Sequence, residues 1–447
     1  MKMLPGSRAL VVGRDSGADA AAALLERRGV VVRRADGGET SAGGEAAGGE
    51  GPELVVLGTA TVGLPPLARF WKERGVPVIG ERELAFRESY CLHVAVAGAG
   101  GKSTTVNLIA RLLQDAGRRV AVAGGAEAPA SALAEGTRDL DLMVHRVEAC
   151  EFEHLDYFRP VVAVLLNAPA EYPEAGEGRD AALRRVSRLF ARQQPFDWAV
   201  IQTEALAQLK ALGIELPGKV ITFSAASRQA DLGVERGLLV SRWEGWAGRL
   251  WDMGRGQLQG PHLAEDALAA LAVGRVLRLT LDEMTHALDG YRPAAGCCEI
   301  LGSADGVRWV DDGRSAHLDA LAKALLTLAP APPETPNIWL IAGGALAGRQ
   351  FYDLGPLLSP RVKQALVYGE AAQAMRAAWS LFTPCSPVPS LLDAANRVLE
   401  QATRGDTILF SPACPRPEGP EYPSSERGAF RRVADRHLGR SKGGPDQ

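Results

Sequence analysis

The chain has 447 residues, a net charge of −3, 46% hydrophobic and 23% charged residues, which is the composition of a folded globular protein too long for a single core. The near-neutral balance gives no reason to expect nucleic acid or an anionic membrane surface as a partner, and no apolar run approaches the roughly 20 residues that span a bilayer. Cysteines at 91, 150, 297, 298, 385 and 414 lack C-x-x-C spacing, which argues against a zinc site or a disulfide frame; a strand opens the chain without a signal-peptide pattern, and a cytoplasmic location is expected.

Residues 1–90 read as a small Rossmann-like α/β unit. A strand over Ala9–Val12, the turn Gly13–Gly17, an Ala-rich helix to Arg28 and a strand over Val30–Arg34 lead to Asp36, an acidic residue where a ribose or uracil is read in such units. Ser16, Gly17, Asp36 and Thr59 are the substrate-binding candidates here. Only two of the three glycines of a dinucleotide fingerprint are visible, so a plain βαβ unit without a ligand stands as the other reading. Gly37–Gly51 is of low complexity and reads as a mobile surface loop. A strand over Glu53–Gly58, a helix over Leu67–Arg74 and a strand over Val76–Gly80 close the unit.

Residues 91–293 carry the strongest motif. An apolar run, Leu92–Ala97, broken only by His93, reads as a buried parallel strand, and Gly98-Ala-Gly100-Gly101-Lys102-Ser103-Thr104-Thr105 then opens a helix. Glycines let backbone N–H groups close around an anion at a helix N-terminus. Gly98, Gly100, Gly101, Lys102, Ser103 and Thr104 are therefore the ATP-binding candidates, with Lys102 reaching the β/γ-phosphates and the Ser103 or Thr104 hydroxyl ligating Mg²⁺. The alternative is a strand-to-helix turn with a chance Gly-Gly-Lys. Strands over Arg119–Ala123, Leu142–Glu148, Val161–Leu166, Trp198–Gln202 and Val220–Phe223 alternate with helices, implying a mostly parallel sheet. A long Ala/Leu helix covers His262–Arg278. Residues 294–447 form a third α/β unit, with strands over Val307–Val310, Asn337–Ala342, Gln364–Tyr368 and Thr407–Phe410 and a disordered tail after Gly439.

In this order the chain resembles the Mur ligase family, most closely its D-glutamate-adding members. The resemblance rests on Val11–Gly17, Gly75–Leu84, Gly98–Thr105, Val147-Glu148 with Phe152, Arg159–Asn167, His262 with Ala267–Ala270, Trp309–Asp312, Gly343-Gly344, Ser411–Cys414 and Glu426–Gly428. It implies a three-domain enzyme: a first domain for a UDP-linked muropeptide precursor, a central one for ATP and Mg²⁺, and a third that closes over an amino acid, D-glutamate. The implied chemistry is an acyl phosphate on the precursor's carboxylate, converted to an amide; with no nucleic acid and no membrane span expected from charge and hydropathy, a monomer is the expected state.

By this resemblance Ser103 and Glu148 are the Mg²⁺ ligands, Asp312 contacts ribose, and Arg314 stands for a family lysine as a phosphate clamp, so that Lys102, Glu148 and Arg314 are the catalytic candidates. For Glu148 a solvated strand-end carboxylate is the other reading, and for His262, an ATP-site candidate, a helix cap. The chain also departs from the family. Glu171-Tyr172 replaces an Asp-His pair, and no lysine lies between Lys102 and Lys210 to be carbamylated. The helix opening His262-Leu-Ala-Glu-Asp266 has lost its asparagines, and Ala295–Glu299 has lost an arginine that meets ATP. Asp311–His317 carries Arg314 for lysine, and Ala345–Ala347 and Ala126–Ala128 replace further family residues. Two functions follow: a ligase with a rebuilt site, or a nucleotide-binding homologue that regulates or scaffolds cell-wall synthesis without ligating.

Overall fold

The computed structural model describes the chain apart from residues 1–3, 37–50, 62, 125–127, 169–177, 259, 316–317, 329–333, 347–350, 415–421 and 440–447. The expected loop over 37–50, the tail beyond Gly439, and Ala126, Glu171, Tyr172, His317 and Ala347 lie outside the described residues, as do the side chains of Glu426 and Arg427. The architecture is α/β, with three sheets among the described residues.

Four parallel strands, β1 (Arg8–Val12), β2 (Val31–Ala35), β3 (Leu54–Leu57) and β4 (Val78–Gly80), form the first sheet in the order β2-β1-β3-β4. The helix Ser16–Arg27 packs on it through Ala18, Ala21, Ala22, Leu24 and Leu25, all buried. The second sheet comprises β5 (Leu92–Ala97), β6 (Val120–Ala123), β7 (Leu142–Arg146), β8 (Val162–Leu165), β9 (Trp198–Gln202), β10 (Lys219–Ser224), β11 (Leu232–Glu235), β12 (Leu238–Ser241) and β13 (Gly248–Asp252). Its order is β13-β12-β11-β10-β9-β8-β5-β7-β6, and only β11, β12 and β13 pair antiparallel. That meander is absent from the sequence reading. Its first hairpin turns on Arg236 and Gly237, with φ of 50° and 80°. Both central residues of a type I′ turn need positive φ, and the usual signal is Asn-Gly or Asp-Gly, not Arg-Gly.

The third sheet holds β14 (Glu299–Ala304), β15 (Val307–Asp311), β16 (Ile338–Gly343), β17 (Val362–Tyr368), β18 (Cys385–Pro387) and β19 (Thr407–Phe410) in the order β14-β15-β19-β16-β17-β18. Only β14 runs antiparallel to its neighbour, through a hairpin at Asp305-Gly306 with φ of 53° and 79°. By contacts the chain divides into two compact units, 1–256 with 264–290, and 257–263 with 291–447. No helix among the described residues is long and apolar enough to cross a membrane, and all six cysteines are free thiols.

The central strands β5 and β8 are buried on both faces, as parallel strands under helices must be. His93, the polar break in β5, is buried, and its Nδ1 lies 2.8 Å from Nε2 of His145 on β7. His145 Nδ1 accepts from the Arg82 guanidinium at 2.6 Å, so its Nε2 carries the proton and donates to His93. Both rings are held neutral. Burial, then Arg82, pulls His93 down to about 4 and His145 well below the usual histidine range.

The first sheet is joined to the second through the helix Glu81–Glu88. Glu83 is fully buried and accepts backbone N–H groups from Asp156 (3.0 Å), Tyr157 (3.0 Å) and Phe158 (2.9 Å), while Arg87 pairs with it at 2.7 Å. Glu83→Ala strands three amides and a guanidinium. We expect it to cost about 3–5 kcal/mol in urea unfolding; a loss below about 1 kcal/mol would show that the amides find other partners.

Candidate active site

The glycine loop sits at the carboxyl end of β5, where ligands bind in open α/β sheets. Gly98 and Gly101 have φ of 146° and 87°, which only glycine adopts without strain. Space demands glycine as well: a Cβ on Gly98 would lie 3.1 Å from Leu166 Cβ, and one on Gly101 would lie 2.3 Å from Asp266 Oδ1. Two side chains brace the loop. Asn167 Oδ1 accepts the amides of Ala99 (2.8 Å) and Gly100 (3.1 Å), and its Nδ2 donates to Gly100 O at 3.0 Å. Asp266, buried in the helix Pro261–Val276, accepts the Thr105 hydroxyl at 3.0 Å. Both residues enter the sequence reading only as landmarks of the resemblance.

Lys102 opens the helix Lys102–Asp115, and its Nζ donates to Gly98 O at 2.9 Å while pairing with Glu148 Oε2 at 3.1 Å. The lysine is thus folded back over the loop. Ser103 is exposed and Thr104 half-buried in the first turn. Glu148 caps the 3₁₀ turn Ala149–His154, its amide donating to Glu151 Oε2 at 2.8 Å.

An arginine that spacing did not single out completes the cluster. Arg146, the last residue of β7, donates from Nη1 to Ser103 Oγ at 3.1 Å, and its Nε lies 3.1 Å from Glu148 Oε1. Ser103 and Glu148 are the pair assigned above to Mg²⁺. Magnesium holds its oxygen ligands at about 2.0–2.1 Å, inside the volume this guanidinium fills, so the pair does not fit the ion with Arg146 in place. Among the described residues, no group of three or more His, Cys, Asp or Glu side chains is placed to hold a metal.

Behind Glu148 lies a buried ion pair. The Arg82 guanidinium donates to both oxygens of Glu151, each at 3.0 Å, and to Arg146 O at 3.0 Å. Burial raises the Glu151 carboxyl above its ordinary range, and Arg82 opposes the shift. Next to it, a recess is lined by Thr59, Gly80, Glu81, Arg82, Cys150 and His154. Burial pushes Glu81 up to about 7 there.

At the first sheet, Gly17 and Thr59 come together around Asp15, with Ser16 between Asp15 and Gly17 in the chain. Asp15 Oδ1 accepts the amides of Gly17 (2.9 Å), Ala18 (3.1 Å) and Thr59 (3.1 Å) and the Thr59 hydroxyl (3.0 Å), and its Oδ2 accepts the Ala60 amide at 3.4 Å. Gly17 and Gly58 leave room for it, since a Cβ on either would come within 2.8 Å and 2.2 Å of that carboxylate. Asp-Ser-Gly before an Ala-rich run is an N-cap signal, so this contact was legible. Asp36 follows β2 and pairs with Arg14.

The remaining candidates belong to the other compact unit. Asp312 follows β15, is buried, and accepts Cys298 N at 3.0 Å and Ser411 Oγ at 2.8 Å; burial lifts its carboxyl to about 7. Arg314 is exposed, with its amide donating to Gly296 O at 2.9 Å. His262 is half-buried at the second residue of its helix.

A parallel strand, a glycine loop, and a lysine and hydroxyl at a helix N-terminus define a phosphate-loop protein. Residues 297–414 match the family described as "Mur ligase, glutamate ligase domain". A UDP-N-acetylmuramoylalanine–D-glutamate ligase from Anaeromyxobacter dehalogenans is 31% identical, with 96% of this chain and 98% of that protein aligned. One from Desulfitobacterium hafniense is 30% identical over 81% and 79% of the two chains. The crystal structure of a MurF ligase from Thermotoga maritima in complex with ADP superposes with a TM-score of 0.60 at 13% identity, covering 98% of this chain and 96% of that one. The chain belongs to the Mur ligase family. The reading of a homologue that does not ligate finds no support in these relatives, which are named as ligases.

The buried pair behind the site can be tested apart from function. Arg82→Met leaves Glu151 buried without its partner and is expected to cost about 3–5 kcal/mol in urea unfolding, with part regained in Arg82→Met/Glu151→Leu. A double variant as unstable as the single one would contradict the pairing.

Proposed function

We propose that this chain is an ATP-dependent ligase that adds an amino acid, D-glutamate, to the terminal carboxylate of a UDP-linked muropeptide precursor. What carries the reading is the Lys102–Glu148 contact on a braced glycine loop, in a chain aligned over most of its length with D-glutamate-adding ligases. In this reading residues 1–90 hold the precursor, 91–293 ATP, and 294–447 the amino acid.

A carboxylate oxygen of the precursor attacks the γ-phosphorus, the bond to the β,γ-bridging oxygen breaks, and ADP leaves. The amine of the amino acid then attacks the acyl carbon, phosphate departs with the former carboxylate oxygen, and the amine gives up a proton. Such transfer is catalysed by placement and by cations near the equatorial oxygens. Lys102 and Arg146 are the cations at the loop, and the amides opening the helix Lys102–Asp115 add partial positive charge. Glu148 holds both cations in place. Arg146 holds the two protein oxygens that the resemblance gives to magnesium.

At the first sheet, Asp36 and the Thr59 hydroxyl suit the hydroxyls of the UDP ribose, with Ser16 and Gly17 at the helix start. The diphosphate lies away from the amides that Asp15 already fills. ATP as phosphoryl donor places the reaction in the cytoplasm.

Phosphate release from ATP by purified protein tests this. Release is expected only with UDP-N-acetylmuramoyl-L-alanine and D-glutamate together, and is expected to fall by about a hundredfold or more in Lys102→Ala. Release that ignores the two co-substrates, or none despite bound ATP, would overturn the ligase reading.

A further inference from the structure

The position of Arg146 carries a consequence for the nucleotide that the family resemblance does not. Its side chain is anchored at both ends. The backbone is the last rung of β7, paired with Val96 of β5, and its carbonyl accepts from the buried Arg82. Gly124, with φ of 133°, packs directly over it: a Cβ there would lie 2.4 Å from Arg146 O and 2.9 Å from Arg146 Cβ. From this base the guanidinium spans the Ser103 hydroxyl and the Glu148 carboxylate, at 3.1 Å from each. These are the two oxygens that the family resemblance assigns to a divalent ion.

Charge favours the guanidinium staying when a nucleotide arrives. Lys102, Arg146 and Glu148 together carry +1, and the helix N-terminus adds to it, so a triphosphate meets net positive charge without an added ion. A divalent cation brought between Ser103 and Glu148 would have to displace a guanidinium from a carboxylate or sit beside it against like-charge repulsion. Arginine also presents several N–H donors in a fixed plane, which suits phosphate oxygens better than a point charge does.

We propose that Arg146 takes the place of a protein-bound magnesium ion at this phosphate loop, so that the chain binds the triphosphate of ATP without a divalent metal. The proposal rests on the reading of this loop as an ATP site. It makes Arg146 a nucleotide-binding residue and limits magnesium to a counter-ion on the free nucleotide.

Calorimetric titration of the full chain with ATP, once in excess magnesium and once in EDTA, decides the matter. The wild-type affinities are expected to agree within about threefold. Arg146→Met, which keeps the apolar stem and removes the charge, is expected to bind ATP at least about tenfold more weakly in EDTA than in magnesium. Wild-type ATP binding that vanishes in EDTA and returns with magnesium would overturn the proposal and leave the ATP site standing. Absence of binding under both conditions would overturn the ATP site itself, and the proposal with it. The wild-type comparison decides alone, so a misfolded variant would not blunt the test.

Discussion

Much of the candidate site depends on one buried cation. Arg82 is 1% exposed, and a guanidinium at that depth persists only with its donors satisfied. Glu151, His145 and the Arg146 carbonyl satisfy them. Each acceptor belongs to an element that positions something else. Glu151 receives the amide of Glu148 and so aims that carboxylate at the loop, while the Arg146 carbonyl fixes the strand end from which the second cation projects. Arg82 itself sits on the helix that joins the first sheet to the second. The placement of Lys102, Glu148 and Arg146 is therefore tied to how the two sheets are docked, and the docking rests on charges that would be costly to leave unpaired.

The same logic governs the loop. Backbone amides able to cradle phosphate must be held apart before phosphate arrives, and polar side chains do this where no anion is present. Asn167 spans two amides and a carbonyl of the loop, and Asp266 grips Thr105 while standing too close to Gly101 for any side chain there. At the first sheet the arrangement is more extreme. The amides at the start of the helix Ser16–Arg27 and after β3 converge on the chain's own Asp15 carboxylate, which occupies the place an anionic ligand takes in units of this kind. The two helix N-termini differ in a way that separates their roles, one braced from behind and cationic in front, the other already neutralised.

The sequence was most informative where the physics is local. The apolar run before Gly98 and the amphipathic run after it place a strand and a helix within a residue of where they occur, and the buried parallel strands β5, β9 and β19 match their expected spans. The loop glycines are legible because positive φ is local. Asp305-Gly306 is an equally local signal, since Asp-Gly favours the two-residue hairpin that pairs β14 with β15. What escaped was long-range. In Gly80-Glu-Arg-Glu-Leu84, Arg82 reads as an ordinary helical charge, and only a contact with Glu151, 69 residues on, makes it a buried hub. Arg146 reads as the polar end of a strand until Ser103 is folded beside it. The departures from the family pattern are visible in the sequence as losses, but the arginine that lies across Ser103 and Glu148 cannot be seen as a gain without the fold.

Activation of a carboxylate by ATP at these residues has a direct chemical signature. Supplying UDP-N-acetylmuramoyl-L-alanine labelled with ¹⁸O in its terminal carboxylate, together with ATP and D-glutamate, should transfer one label into the released phosphate as the amide forms. Phosphate released without label, or label retained in unreacted precursor while ATP is consumed, would contradict an acyl-phosphate ligase.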